Sequence, residues 1–86
     1  MFQKGDRVKC VKKYMSGANP GDTGIVLSVE YDFLKVRWDT FSTRRHSCDG
    51  LCEPGYGWNV PMNHVELELL SVDYGELPML DIASIL

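Results

Sequence analysis

Thr23-Gly24-Ile25-Val26-Leu27-Ser28-Val29-Glu30, Tyr31-Asp32-Phe33 and Leu34-Lys35-Val36-Arg37-Trp38-Asp39 follow one another without a break, and their reading decides the fold. The last stretch alternates almost ideally: Leu34, Val36 and Trp38 share one face, Lys35 and Arg37 the other. Alternation of period two is the signature of a strand with one buried and one wet side. The first stretch is rich in β-branched residues, with Ile25, Leu27 and Val29 on one face and Gly24, Val26 and Ser28 on the other. Gly24 inside it predicts a bulge or strong bend. Tyr31-Asp32-Phe33 reads as a tight hairpin connection between the two.

Working outward, Arg7-Val8-Lys9-Cys10-Val11 is a half-buried first strand, with Val8 and Cys10 inside and Arg7 and Lys9 in water. Ser16-Gly17-Ala18-Asn19-Pro20-Gly21-Asp22 is dense in turn formers and must be a loop. On the other side, a long connection from Thr40 to Gly57 leads into Trp58-Asn59-Val60. Pro61, which lacks a backbone donor, halts that ladder, and Pro61-Met62-Asn63-His64 predicts one turn of 3₁₀ helix. Val65-Glu66-Leu67-Glu68-Leu69-Leu70 closes the sheet, with Val65, Leu67 and Leu69 inside. Five short strands separated by turns predict an all-β, five-stranded small barrel over residues 1–70, with a long loop before strand 4. Residues 71–86 form an acidic, apolar tail. In it Met79, Leu80, Ile82, Ile85 and Leu86 mark one face of a short helix able to dock on the barrel or on a partner.

Gly5-Asp6-Arg7-Val8-Lys9-Cys10, Gly21-Asp22-Thr23-Gly24-Ile25-Val26 and Val36-Arg37-Trp38-Asp39 together resemble the opening strands of SH3-like small barrels, including the KOW type of ribosomal and transcription proteins. Val60-Pro61-Met62-Asn63-His64-Val65 resembles the segment that leads into the last SH3 strand. The chain departs from SH3 domains in having His64 where they usually carry Tyr. It also lacks their Ala-Leu-Tyr-Asp-Tyr-like start and Trp-Trp pair, so a proline-rich-peptide groove is not expected. The loop from His46 to Trp58 is similar to that of small phage and bacterial barrels with His-x-Cys-x-Gly and Gly-x-Gly-Trp elements. The resemblance implies a binding module, protein-binding or RNA- or DNA-binding, and a phage-encoded inhibitor of a host protein as one specific form.

The 86 residues are 44% hydrophobic and 24% charged, which predicts one soluble domain with one modest core and no cleft between domains. No apolar run approaches the roughly 20 residues of a membrane helix, and Met1-Phe2-Gln3-Lys4-Gly5-Asp6 lacks a signal-peptide core. Three cysteines do not close a disulfide framework, so Cys10, Cys48 and Cys52 read as thiols of a cytoplasmic protein. The net charge of −3 is unevenly spread. Residues 1–45 hold all nine basic residues and five acids, a balance of +4; residues 46–86 hold seven acids and no Lys or Arg, a balance of −7. Either the basic part is a nucleic-acid face or the folded barrel interleaves the halves and cancels them.

Four site readings follow. Phe41, His46, Tyr56 and Trp58, around a glycine-rich loop, suit a protein-binding surface, because large rigid side chains give contact area at low entropic cost. Tyr56, between Gly55 and Gly57, is expected to be exposed, and Trp58 to serve as a core lid or an exposed edge. Lys9, Lys12, Lys13, Arg37, Arg44 and Arg45 suit a phosphate-binding stripe, although the pI near 5.2 opposes it. His46, Cys48 and Cys52 are donors suited to zinc, with Cys10 or His64 needed to complete a tetrahedron. Cys48, His46 and Asp49 are also components of a nucleophilic site, but so small a barrel leaves little substrate pocket. The expectation is a non-enzymatic module with no cofactor, a protein partner and no membrane.

Overall fold

The computed structural model describes residues 2–68. Strands β1 (Arg7–Cys10), β2 (Thr23–Val29), β3 (Phe33–Trp38), β4 (Gly57–Pro61) and β5 (Val65–Leu67) form one antiparallel sheet in the order β4-β3-β2-β1-β5. A 3₁₀ turn at Met62–His64 joins β4 to β5. The described residues are therefore all-β, a small, barrel-like five-stranded sheet, as the alternation predicts. The tail over 71–86 and the expected strand residues Leu69 and Leu70 lie outside the described residues.

Alternation builds the core. Leu34, Val36 and Trp38 of β3 are fully buried, and with Val8, Cys10, Val26, Val60 and Val65 they form one apolar cluster. The register explains which face of β2 turns inward. Gly24 pairs with Trp38 and Val26 with Val36, so the Gly24/Val26 face meets the core while Ile25 stays outside beside Arg37. A β-carbon at Gly24 would lie 2.5 Å from the Arg37 carbonyl oxygen and 3.0 Å from the Trp38 Cα, closer than real contacts allow. Glycine there permits close approach of two backbones. The bulge expected at Gly24 occurs instead between Val26 and Ser28, and it brings Val29 opposite Leu34. An extra residue in one strand reverses the facing of those that follow.

β5 corrects a second expectation. Val65 is buried, but Leu67, although opposite Val8 on the core side, is 46% exposed. Outside the sheet, Arg7 of β1 donates to both oxygens of Asp39 at 2.9 and 2.6 Å and to Glu68 at 3.2 Å. One guanidinium thus ties β1 to the chain leaving β3 and to the chain leaving β5, holding the Asp39 carboxyl below its usual range.

Candidate interaction surface

The long connection after β3 is fastened at both ends and in the middle. Trp38 N–H donates to the Tyr56 carbonyl at 2.7 Å, Ser42 N–H to Gly55 at 2.9 Å, and His46 and Gly57 exchange backbone bonds at 2.8 and 2.7 Å. Between them Ser47, Cys48, Asp49 and Gly50 make a compact turn, with left-handed backbone at Cys48 (φ 49°), Asp49 (φ 61°) and Gly50 (φ 87°). The Ser47 carbonyl accepts from Gly50 and Cys52 N–H groups, both at 3.1 Å. A loop so bonded is a shaped surface rather than a slack tether.

Its deepest anchor is Arg45, buried to 8% exposure. The guanidinium donates to the Gly17 carbonyl (2.8 Å), the Thr40 carbonyl and the Asp22 carboxylate (3.0 Å), and stands 5.5 Å from the Trp38 ring centre. It joins the loop before β4 to the loop before β2. A buried arginine is tolerable when its donors are shared among such acceptors.

Two clamps then press the loop onto the outer face of β3. Lys35 donates to Asp49 at 2.9 Å, and Arg37 grips Glu53 through Nε (2.9 Å) and Nη2 (3.2 Å). The bond from Arg37 carries the Glu53 carboxyl down to about 2, and that from Lys35 lowers Asp49. The face read as basic and wet is thus covered by acids from the second half of the chain.

The four expected contact residues separate into two pairs. Phe41, 61% exposed, stands edge-on to Tyr56 with ring centres 5.9 Å apart, and Arg37 caps Tyr56 at 4.5 Å. Gly55 lies directly beneath, where a β-carbon would overlap the Phe41 ring. Tyr56 is consequently half-buried, not exposed as expected. His46 and Trp58 form the second pair, 5.4 Å apart. Trp58 is half-buried against the core, its indole N–H donating to the Tyr14 carbonyl at 3.3 Å, and Gly17 lies so close that a β-carbon would overlap the indole. The core-lid reading describes Trp58, while Phe41 is the ring that projects.

The remaining expected sites are only partly brought together, the Cys52 thiol lying within hydrogen-bond reach of Cys48. His46 uses Nδ1 to accept the Cys48 N–H at 2.9 Å. The Cys48 thiol points inward, toward Asn59 Oδ1 at 3.4 Å and the Val36 carbonyl, and burial pushes it up to about 11. That is opposite to the depressed value of an activated nucleophile. Cys10 sits in the core with its thiol on the Lys12 carbonyl, and His64 lies edge-on to Tyr14. Among the described residues no three His, Cys, Asp or Glu side chains converge as a metal site. Of the basic stripe, Arg37 is engaged by Glu53 and Arg45 is interior. Lys9, Lys12, Lys13 and Arg44 are exposed and make no ion pair among the described residues.

Gly17 and Glu53 are site residues that sequence reasoning missed, while Arg45 and Asp49, read there as a phosphate contact and part of a nucleophilic site, serve as a buried anchor and a clamp. The charge imbalance between the halves was the visible trace of Glu53 and Asp49. Comparison with known proteins returned no matching family model, no similar curated protein and no similar solved structure.

Proposed function

We propose that this chain is a non-enzymatic protein-interaction module of SH3-like type, which contacts its partner through the loop over residues 41–58. The observation that carries the reading is Phe41: a large apolar ring, mostly exposed, yet held in place by Gly55 and Tyr56 on a loop bolted to the barrel. Interfaces draw their affinity from such pre-positioned aromatics, because little freedom is lost on binding. Leu51, also exposed, extends the apolar surface of the same loop. The SH3-type resemblance is supported by the strand order and by the 3₁₀ turn between Pro61 and the last strand. Three unpaired thiols favour a reducing, cytoplasmic setting. A phage-encoded factor that blocks a host protein is the specific form suggested by the loop resemblance.

The test is a photo-crosslinking amino acid at position 41, used in a bacterial extract, followed by binding measurements with the purified target. A protein target whose Kd rises about thirtyfold on Phe41→Ala is the expected result, since a central aromatic contributes roughly 2 kcal/mol. Tyr31→Ala, at a fully exposed ring beside a separate groove of about 290 Å³ lined by Tyr14, Asp32 and Phe33, serves as the control. Crosslinks to RNA or DNA, or affinity lost on Lys12→Glu and Lys13→Glu but kept on Phe41→Ala, would favour the nucleic-acid reading instead.

A further inference from the structure

We propose that the partner surface extends beyond the loop over 41–58 onto the loop over 11–18, with Met15 as a second anchor, and that the partner brings an acidic segment carrying apolar side chains. The proposal rests on reading the 41–58 loop as a protein contact. Tyr14 and Ala18 form an isolated bridge, Tyr14 N–H donating to the Ala18 carbonyl at 2.9 Å, and Met15 stands in the turn between them. The two loops are joined twice. Arg45 Nε donates to the Gly17 carbonyl at 2.8 Å, and the Trp58 indole, flanked by His46, donates to the Tyr14 carbonyl at 3.3 Å. Met15 is thus held between two residues that the other loop grips. A standard interface is roughly 30 Å across, and the path from Met15 to Arg44 through Gly17 and Arg45 is about 20 Å, so one partner spans both loops.

Met15 has a left-handed backbone, with φ at 56°. In a residue with a β-carbon that conformation crowds the following carbonyl oxygen, a cost that glycine would avoid. Met15 is also 66% exposed, so packing within the described fold does little to offset it. The other left-handed residues that carry side chains use them: Asp49 holds Lys35, and the Cys48 thiol fills the space beneath its loop. Backbone strain with no such internal return belongs to surfaces that meet a ligand. A long, polarisable thioether suits that work, because it adapts its shape to what it touches.

The partner's charge follows from what internal pairing leaves over. On these loops Asp22 is taken by Arg45, Asp49 by Lys35 and Glu53 by Arg37. Asp49 and Glu53 are exposed, but each keeps its counter-ion beside it. Lys12, Lys13 and Arg44 are exposed and have no carboxylate partner among the described residues. Lys12 and Lys13 stand on the stem of the loop that Met15 tips, and Arg44 adjoins the buried anchor that binds that loop. The joined loops therefore present unanswered positive charge beside the exposed apolar side chains of Met15 and Phe41. Asp or Glu interspersed with apolar residues is its complement. Nucleic acid matches less well, because so few cations make a short phosphate track and Met15 offers a base no ring to stack on.

The test selects binders to the full chain from a displayed library of random short peptides and follows them by fluorescence titration and by NMR of the chain's amides. Expected are peptides rich in Asp or Glu and apolar residues that shift amides of both 11–18 and 41–46. Their Kd should rise about tenfold on Met15→Gly, and again on Lys12→Glu with Lys13→Glu. Met15→Gly should at the same time raise the urea midpoint, whereas a side chain needed for folding would lower it. Peptides weakened by Phe41→Ala but indifferent to the Met15 and lysine changes would overturn this inference and leave the 41–58 reading standing. Peptides indifferent to all of them would remove both. An empty selection, a poly-thymidine strand bound through Lys12 and Lys13 in place of any acidic peptide, or amides of 11–18 covered by self-association or within the lone chain would each overturn the proposal.

Discussion

Arg45 and Arg44 are neighbours of identical chemistry, yet one is interior and the other exposed. Nothing local separates them: Arg45 is chosen by acceptors 23 and 28 residues away, at Asp22 and Gly17. Such a choice is set by tertiary register and was illegible from sequence. Arg45→Ala leaves the Asp22 carboxylate and two carbonyls without their donor and is expected to destabilise the fold by about 3 kcal/mol, read from the urea midpoint. Arg45→Lys should recover little, because one ammonium cannot match the planar fork that serves three segments. Arg44→Ala, the control, should be near neutral. Burial raises both thiols, but the buried Cys48, pushed up to about 11, should react with a thiol reagent at pH 8 in the native protein more slowly than the partly exposed Cys52. Equal rates at the two positions, read by mass spectrometry of the labelled peptides, would contradict the inward-pointing thiol.

β3 was legible because both its faces carry a signal, apolar inside and basic outside. β2 was not, since both faces offered apolar residues; the core took the side with glycine because only Gly24 lets the Trp38 backbone approach. Gly24→Ala is expected to cost about 1–3 kcal/mol through this crowding, measured by thermal or urea unfolding. The loop clamps make a prediction of opposite sign to burial. Glu53 titrates near 2 rather than 4.5, so its contribution is complete above about pH 4.5 and disappears as pH falls through 2; Asp49, lowered from 3.8, follows the same direction. Both carboxylates are well exposed, so global stability changes little and salt weakens the effect. Faster amide exchange at Cys48 and Gly57, with β1–β3 amides unaffected, is the expected acid response. Carboxyl resonances of Glu53 titrating near 4.5 would refute the clamp.

For the molecule as a whole, part of the segregated charge is paired internally. Arg7, Lys35 and Arg37 from the first half meet Glu68, Asp49 and Glu53 from the second. Those three cations are withdrawn from any phosphate backbone, so a gel shift of single-stranded RNA at about 50 mM salt, if seen, should be lost on Lys12→Glu with Lys13→Glu, at exposed lysines that make no ion pair among the described residues. The sheet order carries a further consequence. Strands β1, β2 and β3 come from the first half, and the second half supplies β4 on one side and β5 on the other. A peptide cleaved between Arg45 and His46 would therefore yield two pieces that each lack what the other has, one a meander with bare borders, the other two borders with nothing between them. Opposite in sign and complementary in shape, they should find each other in solution and rebuild the parent molecule, making this chain a natural candidate for a split reporter.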